Sequence, residues 1–182
     1  KTVLVDLCAV KTGLPEFYQT CGLEFCSLHP MFGALPQHMQ TLEGENAVVV
    51  NAGHKISREF FCELFSSMNA RVFEYGFKEH DEAMAYALSV PFALSFLFAS
   101  TLKPETVPGT NFNKHLAITK GLLSEDTTLL TEIFLNPAVV KELDSMASKF
   151  QFLKHVIAGR DGEELRVFIE SLKKQLAGFE EK

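Results

Sequence analysis

The sequence predicts an α/β layer followed by an all-α region. Up to about residue 77, short runs rich in β-branched residues alternate with amphipathic stretches, which is the order expected of a layered α/β structure. From Glu79 onward, apolar residues fall at i, i+3, i+4 and i+7 almost to the end of the chain, which is typical of amphipathic helices. We therefore expect two domains, residues 1–77 and residues 78–182.

The individual elements follow from the same patterns. Apolar and β-branched runs predict strands at residues 2–7, 24–28, 46–51 and 71–75. With a short helix at Leu14–Cys21 and a second helix whose N-cap is Ser57, they predict a βαβαβ-like half sheet. Proline and glycine residues separate five further predicted helices, at residues 79–102, 112–122, 125–135, 137–158 and 161–178.

Composition and charge limit the classes of partner. The 182 residues are 47% apolar and 22% charged, which is ordinary for a globular protein. The 17 Lys and Arg residues are outnumbered by 23 Asp and Glu, and no basic run would neutralise phosphates, so nucleic acid is not an expected partner. The chain opens without a signal peptide, and Ser, Pro and Tyr interrupt the apolar stretch at residues 83–102. We therefore expect a core helix there, no membrane contact and a cytoplasmic location.

The cysteine pattern predicts thiols without a structural role. Cys8, Cys21, Cys26 and Cys62 form no C-x-x-C pair and lie among apolar residues. We expect buried free thiols in a reducing compartment and no metal site.

The helix predicted at residues 79–102 is apolar on more than one face. Phe92, Leu94, Phe96 and Leu97 leave no polar stripe through its middle. Because the other predicted helices are few and short, we expect a second subunit to cover part of this surface in a two-fold homodimer.

His29 is the main candidate for a site. It stands at the carboxyl end of a predicted strand, opens the run H-P-M-F-G, and is followed by a long connection at residues 30–45 without helical periodicity. In open α/β sheets, ligands bind outside the carboxyl ends of strands, so an imidazole there is well placed to act as a base or hydrogen-bond acceptor. The alternative is a histidine that caps the strand and bonds its own loop.

The sequence E-H-D at residues 79–81 opens the first long helix. Asp81 is expected in the first turn, where it would favour the positive end of the helix dipole. His80 either shares this capping region or faces the same cleft as His29.

A later predicted helix carries Lys114, His115 and Lys120. These side chains are either solvated, or Lys114 and His115 together hold a carboxylate if that helix end points into the cleft.

Three segments, in this order and spacing, resemble the prephenate dehydrogenase family. They are V-D-L-C-A-V-K at residues 5–11, L-H-P-M-F-G at residues 28–33 and E-H-D-E-A-M-A-Y at residues 79–86. The resemblance continues through residues 91–93 and 112–136, so it covers nearly the whole chain. Each motif alone is weak, but H-P-M-F-G followed by E-H-D-x-x-M-A is a specific pair.

The resemblance implies an NAD- or NADP-dependent enzyme of tyrosine biosynthesis. Such an enzyme has a Rossmann-like nucleotide-binding domain and a helical domain, similar to the C-terminal domain of 6-phosphogluconate dehydrogenase, that binds a small-molecule substrate and dimerises. Its reaction is the oxidative decarboxylation of prephenate or arogenate: a hydride leaves C4 of the ring for the nicotinamide while the ring carboxylate departs as carbon dioxide.

This chain resembles only the later part of such an enzyme. It contains no G-x-G-x-x-G and no G-x-x-x-x-G-K-[ST], and it enters directly as a strand without an initial Met. We expect a piece of a longer protein that lacks the glycine-rich turn and is inactive alone.

The resemblance also implies roles for particular residues. His29 would be the catalytic acceptor of a hydrogen bond from the C4 hydroxyl. The cofactor-binding residues would be Asp6, Cys8, Ala9 and Lys11. The substrate-binding residues would be Gly33, His80, Gly109, Thr110, Lys114, His115 and Lys120.

Three positions depart from the family pattern. Ala9 replaces a serine, Phe92 replaces a histidine, and Gly121 stands where the family has the arginine that binds the substrate carboxylate, with Lys120 beside it. A lysine keeps the charge but not the bidentate fork. One alternative is therefore a non-catalytic dimerisation or ligand-sensing module of the same fold. Another is a different β-hydroxyacid-type dehydrogenase, against which H-P-M-F-G argues.

Overall fold

The computed structural model describes residues 2–32, 41–105 and 107–180. The strands are β1 (Val3–Asp6), β2 (Glu24–Pro30), β3 (Asn46–Val50) and β4 (Arg71–Tyr75). The helices are α1 (Leu14–Cys21), α2 (Lys55–Ser67), α3 (Phe77–Met84), α4 (Val90–Ser100), α5 (Thr110–Leu122), α6 (Thr127–Phe134), α7 (Val139–Ala158) and α8 (Gly162–Glu180). A π-helical segment, Ala85–Ser89, joins α3 to α4. The predicted fold class, α/β followed by all-α, is confirmed.

The strands form one mixed sheet in the order β1-β2-β3-β4. The pairs β1–β2 and β3–β4 are parallel, as predicted, but β2 and β3 are antiparallel, with His29 opposite Val48. The predicted βαβαβ-like half sheet was therefore wrong for the pairing of β2 with β3. A parallel return needs a crossover connection, usually a helix, and the sequence between β2 and β3 has no helical periodicity to supply one.

One face of the sheet packs against α2. Successive side chains of a strand point to opposite faces, and Cys26 and Leu28 of β2 are fully buried on this side. They join a core cluster with Ala47 and Val49 of β3 and Phe65 of α2.

The other face of the sheet lies against α1 and α3. The ring of Tyr18 in α1 stacks on Phe25 of β2 at a centroid distance of 4.0 Å, and Phe77 of α3 lies 5.9 Å from the same ring. Since residues of a strand alternate, Ser27 and His29 share this face with Phe25. The aromatic contacts thus place α1 and α3 beside the residues that end β2.

The starts of α2 and α3 differ from the predictions. The N-cap of α2 is His54, not Ser57: the backbone N–H of Ser57 donates to Nδ1 of His54 over 3.3 Å. Helix α3 begins directly after Gly76, and Oε2 of Glu79 accepts the Gly76 backbone N–H over 3.2 Å. Both helices start earlier than expected because a histidine and a capping-box glutamate complete their first turns.

The helical stretch Phe77–Ser100 is long and apolar. Its 24 residues reach a mean hydropathy of 1.6 over their most apolar window, of which 28% is buried, so length and composition alone would allow it to cross a membrane. Leu94 and Leu97 of α4 are exposed, at 57% and 61%.

The chain divides into two compact units, Lys1–Val139 and Val140–Lys182. The second unit contains most of α7 and all of α8, with Phe152 and Phe168 in an edge-on ring contact at 5.2 Å. The expected boundary near residue 77 stays a prediction; one residue, Gly76, separates β4 from α3.

The four cysteines are all free thiols. Only Cys26 is buried, and burial raises its pKa to about 11. Cys21 and Cys62 are half-buried and Cys8 is exposed, so the expectation of four buried thiols was wrong. Cys8 lies two residues past the end of β1, outside the packed sheet.

Candidate functional site

His29 is the penultimate residue of β2 and is buried, with 6% of its surface exposed. The strand places it on the face covered by α1 and α3, beside Ser27 and Phe25. The structure thus confirms an imidazole at the carboxyl end of a strand. The ring points inward to a neighbouring helix.

A second histidine lies directly against His29. Nδ1 of His29 is 3.0 Å from Nε2 of His80 in α3, and the two rings meet edge-on. His80 is fully buried, and its Nδ1 is 3.0 Å from Oδ1 of Asp81. The three side chains form a continuous line of hydrogen bonds from β2 to α3, which we call the histidine–aspartate chain.

Asp81 is held by the segment that follows β1. The backbone N–H of Lys11 donates to Oδ1 over 2.8 Å, and the hydroxyl of Thr12 donates to Oδ2 over 2.7 Å. Burial alone would raise the pKa of Asp81, but the hydrogen bonds from His80, Lys11 and Thr12 outweigh it and lower the pKa below its usual value. At neutral pH the group is therefore a carboxylate.

The electrostatic surroundings keep His29 neutral. Burial lowers the pKa of His29 to about 4, and its neighbours His80 and Lys11 act in the same direction because a positive charge on either one disfavours a second positive charge on His29, whereas Asp6 and Asp81 oppose them. At neutral pH the ring carries one proton, and the nitrogen that lacks it is an acceptor.

A buried ion pair lies next to the histidine–aspartate chain. Nζ of Lys11 donates to Oδ1 of Asp6 over 2.7 Å and to the backbone carbonyl of Leu28 over 2.6 Å. The hydroxyl of Tyr18 donates to the other oxygen of Asp6. Burial raises the pKa of Asp6, but hydrogen bonds from Lys11 and Tyr18 outweigh it, and the pKa is lowered overall. This pair ties the ends of β1 and β2 together.

The predicted cofactor residues occupy different environments. Asp6 and Lys11 form the ion pair, and Lys11 is only 1% exposed. Cys8 is exposed and Ala9 is half-buried. Their contact with a cofactor stays a prediction, in which Lys11 would act by shaping the segment because its ammonium is already occupied.

The predicted substrate residues divide into two groups. His80 belongs to the histidine–aspartate chain. Gly33 lies outside the described residues. The others lie in α5 or at its N-cap, and all of them are exposed. They are Gly109, Thr110, Lys114, His115 and Lys120.

Helix α5 packs against α4, where Phe112 lies 5.2 Å from Phe98. In the part of the chain that the structure describes, no hydrogen bond, ion pair or ring contact joins the polar residues of α5 to His29. Their role at this site therefore stays a prediction.

Sequence reasoning missed three residues of the site. Asp81 was expected to cap a helix, but it is the fifth residue of α3 and accepts hydrogen bonds from the segment after β1 instead. Thr12 and Asn136 were not candidates. The side-chain amide of Asn136 donates to the backbone carbonyl of Asp81 over 2.8 Å. The only sequence signal was adjacency: Asp81 follows His80, and Thr12 follows Lys11.

A buried neutral imidazole, backed by a second imidazole and a carboxylate, can accept a proton or a hydrogen bond from a ligand hydroxyl. The architecture that carries this group is a mixed sheet followed by helices. Three solved structures of proteins named as prephenate or arogenate dehydrogenases have the same fold.

The prephenate dehydrogenase from Aquifex aeolicus, solved with hydroxyphenyl propionate and NAD+, superposes with a TM-score of 0.80 at 20% identity, covering 98% of this chain and 67% of its own. The arogenate dehydrogenase from Synechocystis gives 0.72 at 14% identity, with 98% and 69% covered. A putative prephenate dehydrogenase from Corynebacterium glutamicum gives 0.72 at 14% identity, with 98% and 62% covered.

These likenesses establish the fold, and this chain spans about two thirds of the length of those proteins. No protein-family model matches the sequence. No curated protein matches it either.

Proposed function

We propose that this chain is part of an NAD- or NADP-dependent dehydrogenase that carries out the oxidative decarboxylation of prephenate or arogenate. One observation carries the proposal: His29 is a buried, neutral imidazole at the end of β2 in a fold shared with prephenate and arogenate dehydrogenases. The Aquifex protein was solved with hydroxyphenyl propionate and NAD+, which supports a hydroxyl-bearing six-membered ring with a carboxylate side chain as the ligand type.

His29 would act on the ring hydroxyl. Its bare nitrogen accepts the hydrogen bond of that hydroxyl, which becomes more acidic as the hydride leaves the same carbon. The interaction is therefore stronger in the transition state than in the ground state, which is the condition for catalysis. Burial keeps competing water away from the imidazole. When bound, the nicotinamide supplies the hydride acceptor.

The segment after β1 fits the nicotinamide end of the cofactor. Leu7 is 60% exposed and Cys8 is exposed, and this open apolar segment supports the proposal that the nicotinamide ring rests here. Asp6 accepts the Cys8 backbone N–H over 3.1 Å and Asp81 accepts that of Lys11, so the segment is fixed at both ends. The sequence offers no glycine-rich turn for the diphosphate, so these residues fit only that end of the cofactor.

The substrate side chain carries a carboxylate that needs a cation. As part of the proposal, this cation is Lys114, His115 or Lys120 of α5. Gly109 and Thr110, at the start of the same helix, also contact the substrate in this proposal. All five are exposed, and among the described residues none of the three cationic candidates has an ion-pair partner.

We further propose that the protein is a cytoplasmic homodimer. The exposed leucines of α4 support a covering subunit, because a monomer rarely leaves an extended apolar helix face in water. The stretch Phe77–Ser100 is not assigned to a membrane, because His80 and Asp81 near its start are bonded to β2 and to the segment after β1.

The test is an assay of the protein together with any residues its gene encodes beyond this chain. Prephenate and arogenate are each offered with NAD+ and NADP+, and formation of reduced nicotinamide is followed by absorbance. His29→Asn should lower kcat by about 10²–10⁴-fold if the imidazole takes part in proton transfer. His155→Asn, at an exposed position of α7, is the matched control and should leave turnover unchanged. Turnover by His29→Asn equal to that of the wild type would remove His29 from the mechanism.

A second candidate is a non-catalytic dimerisation or ligand-sensing module. It is favoured by Ala9, Phe92 and Gly121, each of which lacks the polar group of the family pattern. Absence of turnover with all four substrate and cofactor combinations, together with saturable binding of hydroxyphenyl propionate, would favour this function over the enzyme.

A further inference from the structure

The histidine–aspartate chain has a fixed direction of donors and acceptors. A carboxylate can only accept hydrogen bonds, and Asp81 already accepts the Lys11 backbone N–H and the Thr12 hydroxyl. The nitrogen of His80 that lies 3.0 Å from Oδ1 of Asp81 must therefore carry a hydrogen. That nitrogen is Nδ1.

The tautomer of His80 then determines that of His29. In its neutral form, His80 with a hydrogen on Nδ1 has a bare Nε2, which can only accept. Nε2 of His80 lies 3.0 Å from Nδ1 of His29, so Nδ1 of His29 must donate. Among the described residues none bonds to Nε2 of His29, which is left as a bare acceptor.

We propose that Asp81, acting through His80, is a positioning residue that holds His29 in the tautomer with hydrogen on Nδ1 and a free acceptor at Nε2. This inference rests on the proposed function only where it assigns that acceptor to the substrate hydroxyl. The tautomer itself does not depend on the proposed function. His80 contacts His29 through Nε2 and Asp81 through Nδ1, so it transmits the preference of Asp81. The hydrogen bond made by one ring nitrogen decides which nitrogen carries the proton.

The proposal explains why the carboxylate is held by three donors. If a leucine replaced it, Nδ1 of His80 would lose its acceptor, and nothing would hold the hydrogen of His80 on that nitrogen. His80 would then be free to donate from Nε2, in which case His29 accepts at Nδ1 and its own Nε2 carries the hydrogen. Nε2 of His29 would then be a donor, whereas the proposed reaction requires it to accept a hydrogen bond from the substrate hydroxyl.

The direct test is NMR of the protein with ¹⁵N-labelled histidine, using long-range proton–nitrogen correlations that distinguish the two neutral tautomers. Signals of His29 are assigned by their loss in His29→Gln. In the wild type, His29 and His80 should both show hydrogen on Nδ1. His54 is an internal reference of the opposite type, because its Nδ1 accepts the Ser57 backbone N–H. A wild-type His29 with hydrogen on Nε2 overturns the proposal.

Two variants test the cause. Asp81→Leu removes the acceptor of His80, so the hydrogen of His29 should shift from Nδ1 to Nε2 while the His54 signals stay unchanged. Thr12→Val removes one hydrogen bond to Asp81 but keeps the charge, so His29 should keep its wild-type tautomer. If Asp81→Leu folds, as judged by circular dichroism, and the tautomer of His29 does not change, Asp81 is not the determinant. If it does not fold, the wild-type spectrum still decides the proposal.

Kinetics separate this inference from the proposed function. If the protein turns over prephenate or arogenate, Asp81→Leu should lower kcat by about 10²-fold or more and change KM much less, since the altered tautomer affects the transition state. Loss of kcat without a change of tautomer would contradict the inference. If the wild type shows no turnover, the proposed function fails while the NMR result still stands.

Discussion

The depressed basicity of His29 should appear as a pH dependence of stability. The ordinary pKa of a histidine in the unfolded chain is 6.5, and in the folded protein burial lowers the pKa of His29 to about 4. Between these values the unfolded state binds a proton that the folded state does not, so the free energy of unfolding falls as the pH falls. The difference corresponds to about 3 kcal/mol, of which about 2 kcal/mol is lost between pH 7 and pH 4.5.

Urea unfolding at pH 7, 6, 5 and 4.5 measures this loss. The wild type is compared with His29→Gln, which has no titratable group at this position, and with His155→Gln as an exposed control. The free energy of unfolding of the wild type should fall by about 2 kcal/mol more than that of His29→Gln over this range, whereas the control should follow the wild type. The titratable groups facing His29, which are His80, Lys11, Asp6 and Asp81, are present in all three proteins. Parallel curves for the wild type and His29→Gln would refute the reasoning.

Three further outcomes are expected. Lys11→Met should lower the free energy of unfolding by about 3–5 kcal/mol in chemical denaturation, because it leaves the carboxylate of Asp6 without its ammonium partner; a loss below about 1 kcal/mol would mean that the pair contributes little. Gly53→Ala should be destabilising by more than about 2 kcal/mol, because φ is 87° and a Cβ would lie 2.3 Å from a backbone oxygen of β2. Gly44→Ala has the same φ with open space around it and should cost less; equal losses would contradict the steric argument. Leu97→Asp should convert the proposed dimer into a monomer in sedimentation velocity, and a wild type that is monomeric at micromolar concentration would exclude the dimer.

The element pattern was predictable because it depends on residues close in sequence. Alternation and helical periodicity placed α1 and β4 with their observed bounds and the other elements within a few residues. The antiparallel pairing of β2 with β3 was missed because strand direction depends on the path of the connection, which local periodicity does not encode. The prediction of the N-cap of α2 failed for a related reason. The side chain of His54, rather than that of Ser57, accepts a free backbone N–H in the first turn of the helix.

The candidate site was predictable only in part. His29 was identified from its place at a strand end, and His80 was kept open as a cleft residue. Asp81 was taken for a helix cap because its neighbours in sequence suggested a first turn. Its actual partners, Lys11 and Thr12, are about 70 residues away along the chain, and nothing local indicates them.

The sequence by itself determined the order of sheet and helices and the presence of an imidazole at the end of β2, because both follow from local patterns of side chains. Only the tertiary structure decided that this imidazole contacts His80, 51 residues away, and that Lys11 is buried against Asp6. It also decided that Asp81 accepts a hydrogen bond from the Lys11 backbone instead of capping a helix. The physical reason is that hydrogen bonds between distant segments exist only once helix α3 packs on the sheet, and their directions are fixed by which atoms that packing brings together.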